Sequence, residues 1–264
     1  MIALFAAIRA AHFASLLFVF GAEAFAWIPQ RGGDGSALPR KSILIAAAVA
    51  LITAILSLDP RTHAAMALEP LGQARIVLLA MLVAALAWRR LKGLNALLAG
   101  AALALMAVSS HAAGVAPVLG AVSDAVHLLA AGFWIGGLCV LVAFMRTRPP
   151  AATLVPALRT FSSFGMIAVA LLVIAGTANG VLILGGAQGR WTGGYIGLLT
   201  LKLVLAAVMI ALALTNRFGL LPGIARGEAE AQDTLSTTVA VELACGAAVL
   251  LVAGLLGMTA PLTM

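Results

Sequence analysis

Charged residues are scarce in this 264-residue chain: they make up 9% of it, and only nine are acidic. Soluble domains carry about 25% charged residues and about half apolar ones. Here 63% of the residues are hydrophobic and the mean hydropathy is +1.14. This composition excludes a soluble globular domain, and it also excludes an intrinsically disordered chain. It predicts an all-α, polytopic membrane protein.

Cysteine is also scarce, and the two that occur, Cys139 and Cys245, lie in apolar stretches. This distribution argues against a disulfide framework and against a zinc knuckle. The sequence contains no phosphate-binding loop of the G-x-x-x-x-G-K-[ST] type. Neither a Ser/His/Asp spacing nor a carboxylate pair in the apolar runs supports hydrolysis or group transfer, so we expect no enzymatic activity. The net charge of +7 comes from basic residues that flank apolar runs, which indicates membrane topology rather than a nucleic-acid partner.

Eight long apolar runs predict eight transmembrane helices in a single domain that covers residues 1–264. Each run is close to the roughly 20 residues that cross a 30 Å hydrocarbon core. Helices are expected because a spanning segment must satisfy its own backbone hydrogen bonds. The predicted helices cover about 3–28, 41–58, 71–88, 94–111, 123–145, 160–185, 194–217 and 235–258.

Lysine and arginine alternate between the connections of these helices. Eleven of the 16 follow helices 1, 3, 5 and 7, whereas three lie in the other connections. Because basic loops stay on the cytoplasmic side, both termini are predicted outside, at the periplasmic face of a bacterial inner membrane. The lipid bilayer is therefore the first expected partner. The eleven are Arg31, Arg40, Lys41, Arg89, Arg90, Lys92, Arg146, Arg148, Arg159, Arg217 and Arg226.

All four histidines fall on the predicted outer side. They are His12, His63, His111 and His127. His12 lies deepest, roughly 8 Å below the outer edge at 1.5 Å per residue. Two explanations remain open: the outer side holds a ligand site, or the interface merely tolerates imidazole.

Other candidate ligands accompany these histidines. Asp124 precedes His127 by three residues, so both share one helix face, and Ser123 is predicted to cap that helix. Met66 follows His63 by three residues in the connection between helices 2 and 3. Imidazole with carboxylate suits Cu(II), and imidazole with thioether suits Cu(I). These residues predict an outer copper site formed by His12, His111 and His127, assisted by Asp124 or by His63 and Met66.

A short internal repeat relates helices 1 and 5. Both His12–Gly21 and His127–Gly136 fit the pattern H-x5-F-x2-G. The two helices run in the same direction, which is typical of a parallel 4+4 repeat with halves 1–115 and 120–264. Chance is the other explanation, because the match is short and the chain is rich in few apolar residue types. Histidines at matched depth could also be axial ligands of haem b, with His12 paired to His111 or His127.

Ionisable residues inside the predicted helices need a reason, because charge in hydrocarbon is costly. Lys202 either extends its amine towards the outer interface or lends positive charge to a site beneath the histidines. Glu242 lies too far from Lys202 in depth for a direct ion pair and could mark an inner exit for a cation. Glu23 is predicted to be interfacial, and Asn179 is a candidate polar bridge between helices.

The sequence HLLAAGFWIGGL at 127–138, which includes Trp134, resembles the signature helix of the copper resistance D (CopD/PcoD-like) membrane proteins. Further segments are similar in the same order. They are R-T-F-S at 159–162, G-T-A-N-G at 176–180, L-K-L around Lys202, and N-R at 216–217. The resemblance implies eight helices that move or handle copper across the inner membrane. It also implies a separate periplasmic copper-binding protein as a candidate partner, since the extracytoplasmic copper-binding domain of some relatives is not found here.

The leading functional hypothesis is therefore a copper-binding inner-membrane protein that takes copper from the periplasmic side, for transport or homeostasis. The alternative is a haem b protein of membrane electron transfer, because the wider set of relatives includes haem-binding proteins.

Overall fold

The computed structural model describes residues 2–27, 38–56, 70–88, 92–186 and 192–259. These residues form helices and contain no β-strand. A 3-10 turn at 107–109 precedes α5, and a π-helical turn at 216–220 follows α8. The helices are α1 Ile2–Trp27, α2 Arg40–Leu56, α3 Pro70–Trp88, α4 Lys92–Met106, α5 His111–Val115, α6 Pro117–Arg146, α7 Ala151–Gly186, α8 Gly193–Thr215, α9 Leu221–Ala225 and α10 Ala229–Leu256.

Five segments of the described chain are long and apolar enough to cross a membrane. They are Leu4–Ala26, Pro117–Arg146, Ala151–Gly185, Gly193–Ala225 and Glu230–Leu256. Two shorter apolar helices cover Gly72–Trp88 and Gly93–Ser109. The prediction of an all-helical membrane protein is thus confirmed, whereas the number of eight spans stays a prediction.

The start of α6 differs from the prediction. The helix begins at Pro117, six residues earlier than expected, and the extended Ala116 precedes it. Proline is favoured in a first helical turn, since its fixed φ suits the helix and its missing N–H is not needed there. The prediction that Ser123 caps this helix is therefore wrong. Instead, the Ser123 hydroxyl lies inside α6 and donates to the Ala175 carbonyl of α7 at 3.1 Å.

Two further helix boundaries differ from the predicted ones because of nearby residues. The helix α7 begins directly after Pro149-Pro150 and contains Pro156 in its second turn, so it is nine residues longer at its start than predicted. The predicted break at 114–117 is partly helical, because Ser110 caps α5. Its side-chain oxygen accepts from the Ala113 N–H at 3.2 Å.

The helices α1 and α6 contact each other at the centre of the bundle through glycine. A Cβ atom on Gly136 would lie 2.6 Å from the Gly21 Cα, and one on Gly21 would lie 2.7 Å from the Gly136 Cα. Any larger residue at either position would force the helices apart. These two glycines are the ones that end the H-x5-F-x2-G matches. Around this pair, α1 packs against α2 and α4, and α6 packs against α7.

The outer helices are arranged differently on the two sides of that pair. On one side α2 packs against α3 and α3 against α4, whereas on the other side α8 packs against α10 but makes little contact with α7. A cleft of about 220 Å³ separates α7 from α8, with Trp134 of α6 and Glu242 of α10 in its wall.

The prediction that Glu23 is interfacial is wrong. Its side chain is 0% exposed, and its Oε2 accepts from Asn95 Nδ2 of α4 at 3.3 Å. Burial follows from packing, because α1 and α4 lie side by side along this part of the chain.

Candidate functional site

The imidazole of His12 is buried and its tautomer is fixed by α2. Only 4% of the residue is exposed, and Nδ1 lies 3.0 Å from the Ala50 carbonyl oxygen and 2.9 Å from Thr53 Oγ1. Because a carbonyl oxygen can only accept, Nδ1 carries the proton. The Thr53 hydroxyl donates to the Val49 carbonyl at 2.7 Å, and its oxygen accepts from the ring N–H.

The other ring nitrogen of His12, Nε2, is consequently unprotonated. It is buried and has no hydrogen-bond partner within the described residues. A histidine that donates one ring N–H to a carbonyl and keeps the other nitrogen free has the arrangement typical of metal ligands. The charged groups that act on His12 are the guanidinium groups of Arg75 and Arg9. The surroundings of this lone pair are therefore cationic.

His127 occupies a space that glycine leaves open. Its ring lies against Gly176 of α7, where a Cβ atom would be 3.3 Å from Cε1 and 3.4 Å from Nδ1. The ring also interacts with the backbone of Leu172, one turn earlier in α7. Its Nδ1 is buried and has no hydrogen-bond partner in the described part of the chain. A second imidazole nitrogen thus lacks a protein partner.

Asp124 brings three helices together near His127. Its Oδ1 accepts from Asn179 Nδ2 of α7 at 3.1 Å, and its carboxylate also interacts with the Ser110 hydroxyl and with Lys202 of α8. Lys202 acts electrostatically on His127 as well. Asn179 is thus a polar bridge, as its position predicted. Of the two explanations for Lys202, this placement favours a cation beside the histidine.

The remaining predicted ligands do not join this group. His111 is exposed at the start of α5, and its ring meets Tyr195 edge to face with the centroids 6.5 Å apart. His63 and Met66 lie outside the described residues. Among the residues that the structure describes, no three His, Cys, Asp or Glu side chains form a metal-binding group. His12 bonds to α2 and His127 lies against α7, so the described imidazoles do not converge in one preformed pocket.

A second polar network lies at the cleft between α7 and α8. The Glu242 side chain is 1% exposed. Its Oε1 accepts from Trp134 Nε1 at 2.9 Å, and its Oε2 accepts from Asn216 Nδ2 at 3.3 Å. The Thr238 hydroxyl donates to Asn216 Oδ1 at 2.6 Å. Neutral donors therefore stabilise this carboxylate, and Lys202 is not its partner.

Sequence reasoning selected Trp134 and Glu242 separately but missed their contact and the role of the π-helical turn. That turn begins at Asn216, and the next residue, Arg217, donates from Nη1 to Ser162 Oγ at 2.7 Å. The signal was present, because Ser162 ends the R-T-F-S segment and Asn216-Arg217 is the N-R pair. The contact between Ser162 and Arg217 could not be predicted because the two residues are 55 positions apart in the chain.

The sequence that forms this helical bundle is similar to the sequences of known membrane proteins. A family model described as CopD, copper resistance protein D, matches residues 155–256. The chain is 32% identical over 200 residues to the inner membrane protein YebZ of Escherichia coli (strain K12), covering 72% of this chain and 67% of that protein. It is 30% identical over 286 aligned residues to copper resistance protein D of Pseudomonas syringae pv. tomato, covering 92% of each. No solved structure matches the chain.

Proposed function

The chain belongs to the CopD (copper resistance protein D) family, and from this premise we propose that it handles copper in the bacterial inner membrane. Copper is the substrate in this proposal. It enters from the periplasmic side, delivered by a separate copper-binding protein. The role is transport or homeostasis rather than catalysis, with eight spans and both termini in the periplasm.

One observation supports this proposal most: among the described residues, two imidazoles each have a buried nitrogen atom without a hydrogen-bond partner. A buried polar atom that makes no hydrogen bond is destabilising by about 1–3 kcal/mol. Two such atoms, His12 Nε2 and His127 Nδ1, lie nine residues before the two contacting glycines of α1 and α6. A neutral imidazole nitrogen is a good ligand for copper, so bound copper would satisfy both atoms.

The group around His127 suits transient binding. Copper at His127 Nδ1 would be attracted by the Asp124 carboxylate and repelled by the Lys202 ammonium, which already interacts with that carboxylate. An ion pathway needs sites that bind well enough for entry and weakly enough for release. Competition between copper and Lys202 for Asp124 provides that balance.

The membrane potential is a sufficient driving force for inward movement. A positive charge is drawn towards the negative cytoplasm by about 2.3 kcal/mol per 100 mV. The known nucleotide-binding loop is absent from the sequence, so we propose that neither ATP nor another nucleotide drives the step.

Copper binding and uptake test the proposal. The full chain would be reconstituted in phospholipid vesicles with a potential negative inside, and copper uptake would be followed with an enclosed chelator. We expect uptake above that of empty vesicles, and its loss in the double variant His12→Ala/His127→Ala. His111→Ala, at an exposed ring, shows whether the third predicted ligand contributes. Unchanged copper affinity after all three substitutions together would contradict the proposal.

Haem b remains the alternative to copper, and one measurement separates the two. Paired axial ligation needs two imidazoles that face one slot, whereas His12 bonds to α2 and His127 lies against α7. This arrangement favours copper. A purified protein with a strong Soret absorption band would support haem, and a colourless one would eliminate it.

A further inference from the structure

The cleft between α7 and α8 is open towards the lipid. Its mouth is formed by apolar side chains that are well exposed, such as Met166 of α7 and Leu214 of α8, each 46% exposed. Because α7 and α8 both belong to membrane-spanning segments, their exposed faces contact hydrocarbon. A molecule can therefore reach the cleft sideways from the bilayer.

The length of the cleft matches one leaflet. Along α7 its wall extends from Leu158 to Ala170, and along α8 and α9 it extends from Ile210 to Leu221. At 1.5 Å per residue these stretches are about 18 Å and about 16 Å long. Half of a hydrocarbon core is about 15 Å. The cleft thus has the depth that one extended acyl chain occupies.

A guanidinium group lies in the wall of the cleft, about one helical turn from the end that Leu158 and Leu221 form. Arg217 donates to Ser162 Oγ and lies with its charge 5.5 Å from the Phe218 ring centroid. No carboxylate pairs with it within the described part of the chain. Arg226 is near it in sequence, so this is the basic end of the bundle, where lipid phosphates are expected. Guanidinium groups bind phosphate through paired hydrogen bonds.

From this geometry we infer that the cleft holds one acyl chain of a glycerophospholipid from the leaflet at the basic end, with the lipid phosphate bound by Arg217. The apolar wall takes the chain, and the cation takes the phosphate. Such a lipid would fill the gap that α7 and α8 leave between them. The binding of this lipid does not require copper.

Native mass spectrometry of the full chain in mild detergent, with added palmitoyl-oleoyl phosphatidylglycerol as probe, tests the inference. We expect one retained lipid per chain. Arg217→Ala should weaken its binding by about tenfold, which corresponds to about 1.4 kcal/mol, and Arg217→Lys by less, because it keeps the charge but loses the planar group. The matched control is Arg226→Ala, which removes an exposed arginine paired with Glu228 on the same side, and should leave binding within about twofold.

A second pair of variants tests the apolar part. Gly165 lines the cleft, and a Cβ atom there would meet nothing within 4 Å, so Gly165→Phe should occupy the space of the acyl chain and abolish retention. Gly197→Phe is the control, since Gly197 is exposed on α8 with equal room. Retention that is equal in wild type, Arg217→Ala and Gly165→Phe would overturn the inference. The inference would also be overturned if the protein retained a lipid without a phosphate group instead of the added phosphatidylglycerol. If Gly165→Phe does not fold, the three arginine variants decide.

Discussion

The two central helices, α1 and α6, carry histidines at equivalent positions of the repeat, a buried one in α1 and a half-buried one in α6. His12 is held by a carbonyl and a hydroxyl of α2, and its charged neighbours are arginines. His127 lies against Gly176, and the Lys202 ammonium group that acts on it also interacts with the Asp124 carboxylate. The two histidines thus differ in their charged neighbours, which are arginines for His12 and a lysine that also interacts with a carboxylate for His127.

The halves also differ in packing. In the N-terminal half α2 and α3 pack together, whereas in the C-terminal half α7 and α8 leave a cleft. The family match at 155–256 covers the open half and includes Asn179, Lys202 and Glu242. If the proposed function holds, we expect ligand binding to depend more on the C-terminal half than on the N-terminal half.

The largest expected effect comes from the contact that joins the halves. In Gly136→Leu the new side chain would begin 2.6 Å from the Gly21 Cα, so α1 and α6 could not stay in contact. We expect loss of the folded, monodisperse protein in size-exclusion chromatography after detergent extraction. Gly197→Leu, where a Cβ atom meets nothing within 4 Å, should elute as wild type. An unaltered elution profile for Gly136→Leu would show that the halves are not joined here.

The next effect separates the two histidines. Loss of a metal ligand or of its supporting partner lowers affinity by about 10–100-fold. We expect His127→Ala to lower copper affinity by about 100-fold and His12→Ala by about tenfold, because His127 follows Asp124 by three residues on one helix, whereas the charged groups that act on His12 are arginines. Competition with a chelator of known affinity measures both. Equal losses, or a larger loss for His12→Ala, would reverse the assignment of the main site.

A smaller effect, of opposite sign, is expected for Lys202→Met. Removing the ammonium group relieves its repulsion of copper and frees Asp124, so copper affinity should rise by about tenfold while release into vesicles slows. The same chelator competition gives the affinity, and vesicle uptake gives the rate. A decrease in affinity would mean that Lys202 stabilises the site rather than competes in it.

The smallest effect concerns the buried carboxylate of the open half. Trp134→Phe removes the indole N–H that donates to Glu242 Oε1 and leaves Asn216 as the one donor to this carboxylate among the described residues. This change should be destabilising by about 1–3 kcal/mol in thermal unfolding. Trp88→Phe is the control, because Trp88 is 84% exposed and its loss should leave the melting temperature almost unchanged. Equal melting temperatures for both variants would show that the hydrogen bond contributes nothing.

Much of the framework could be predicted from the sequence, because it depends on hydrophobic length and on short-range spacing. The apolar runs predicted helices, the position of Asn179 predicted a polar bridge between helices, and one of the two explanations for Lys202 placed its charge beneath the histidines. Glu23 and Ser123 could not be placed, since their partners Asn95 and Ala175 lie on other helices far along the chain. Tertiary packing, not local sequence, decides their environment.

The orientation of the two histidines could not be predicted from their equal depth in the membrane. Each lies nine residues before its glycine, and at 3.6 residues per turn nine residues rotate a side chain by about 180°. If the glycines of α1 and α6 face each other, His12 and His127 must point away from each other, towards α2 and α7. The repeat predicts matched depth, but the glycine contact predicts separate sites.

The contact between Gly21 and Gly136 also defines the point about which α1 and α6 would tilt relative to each other. Because the backbones of α1 and α6 meet at Gly21 and Gly136 with no side chain between them, a change in the angle between these helices would pivot at this contact. Each histidine lies about 13.5 Å along its helix from this contact, which is nine residues at 1.5 Å per residue. A tilt of about 10° would swing each ring by about 2 Å, which is enough to make or break a hydrogen bond. Small angular changes at the pivot are therefore magnified where copper would be exchanged.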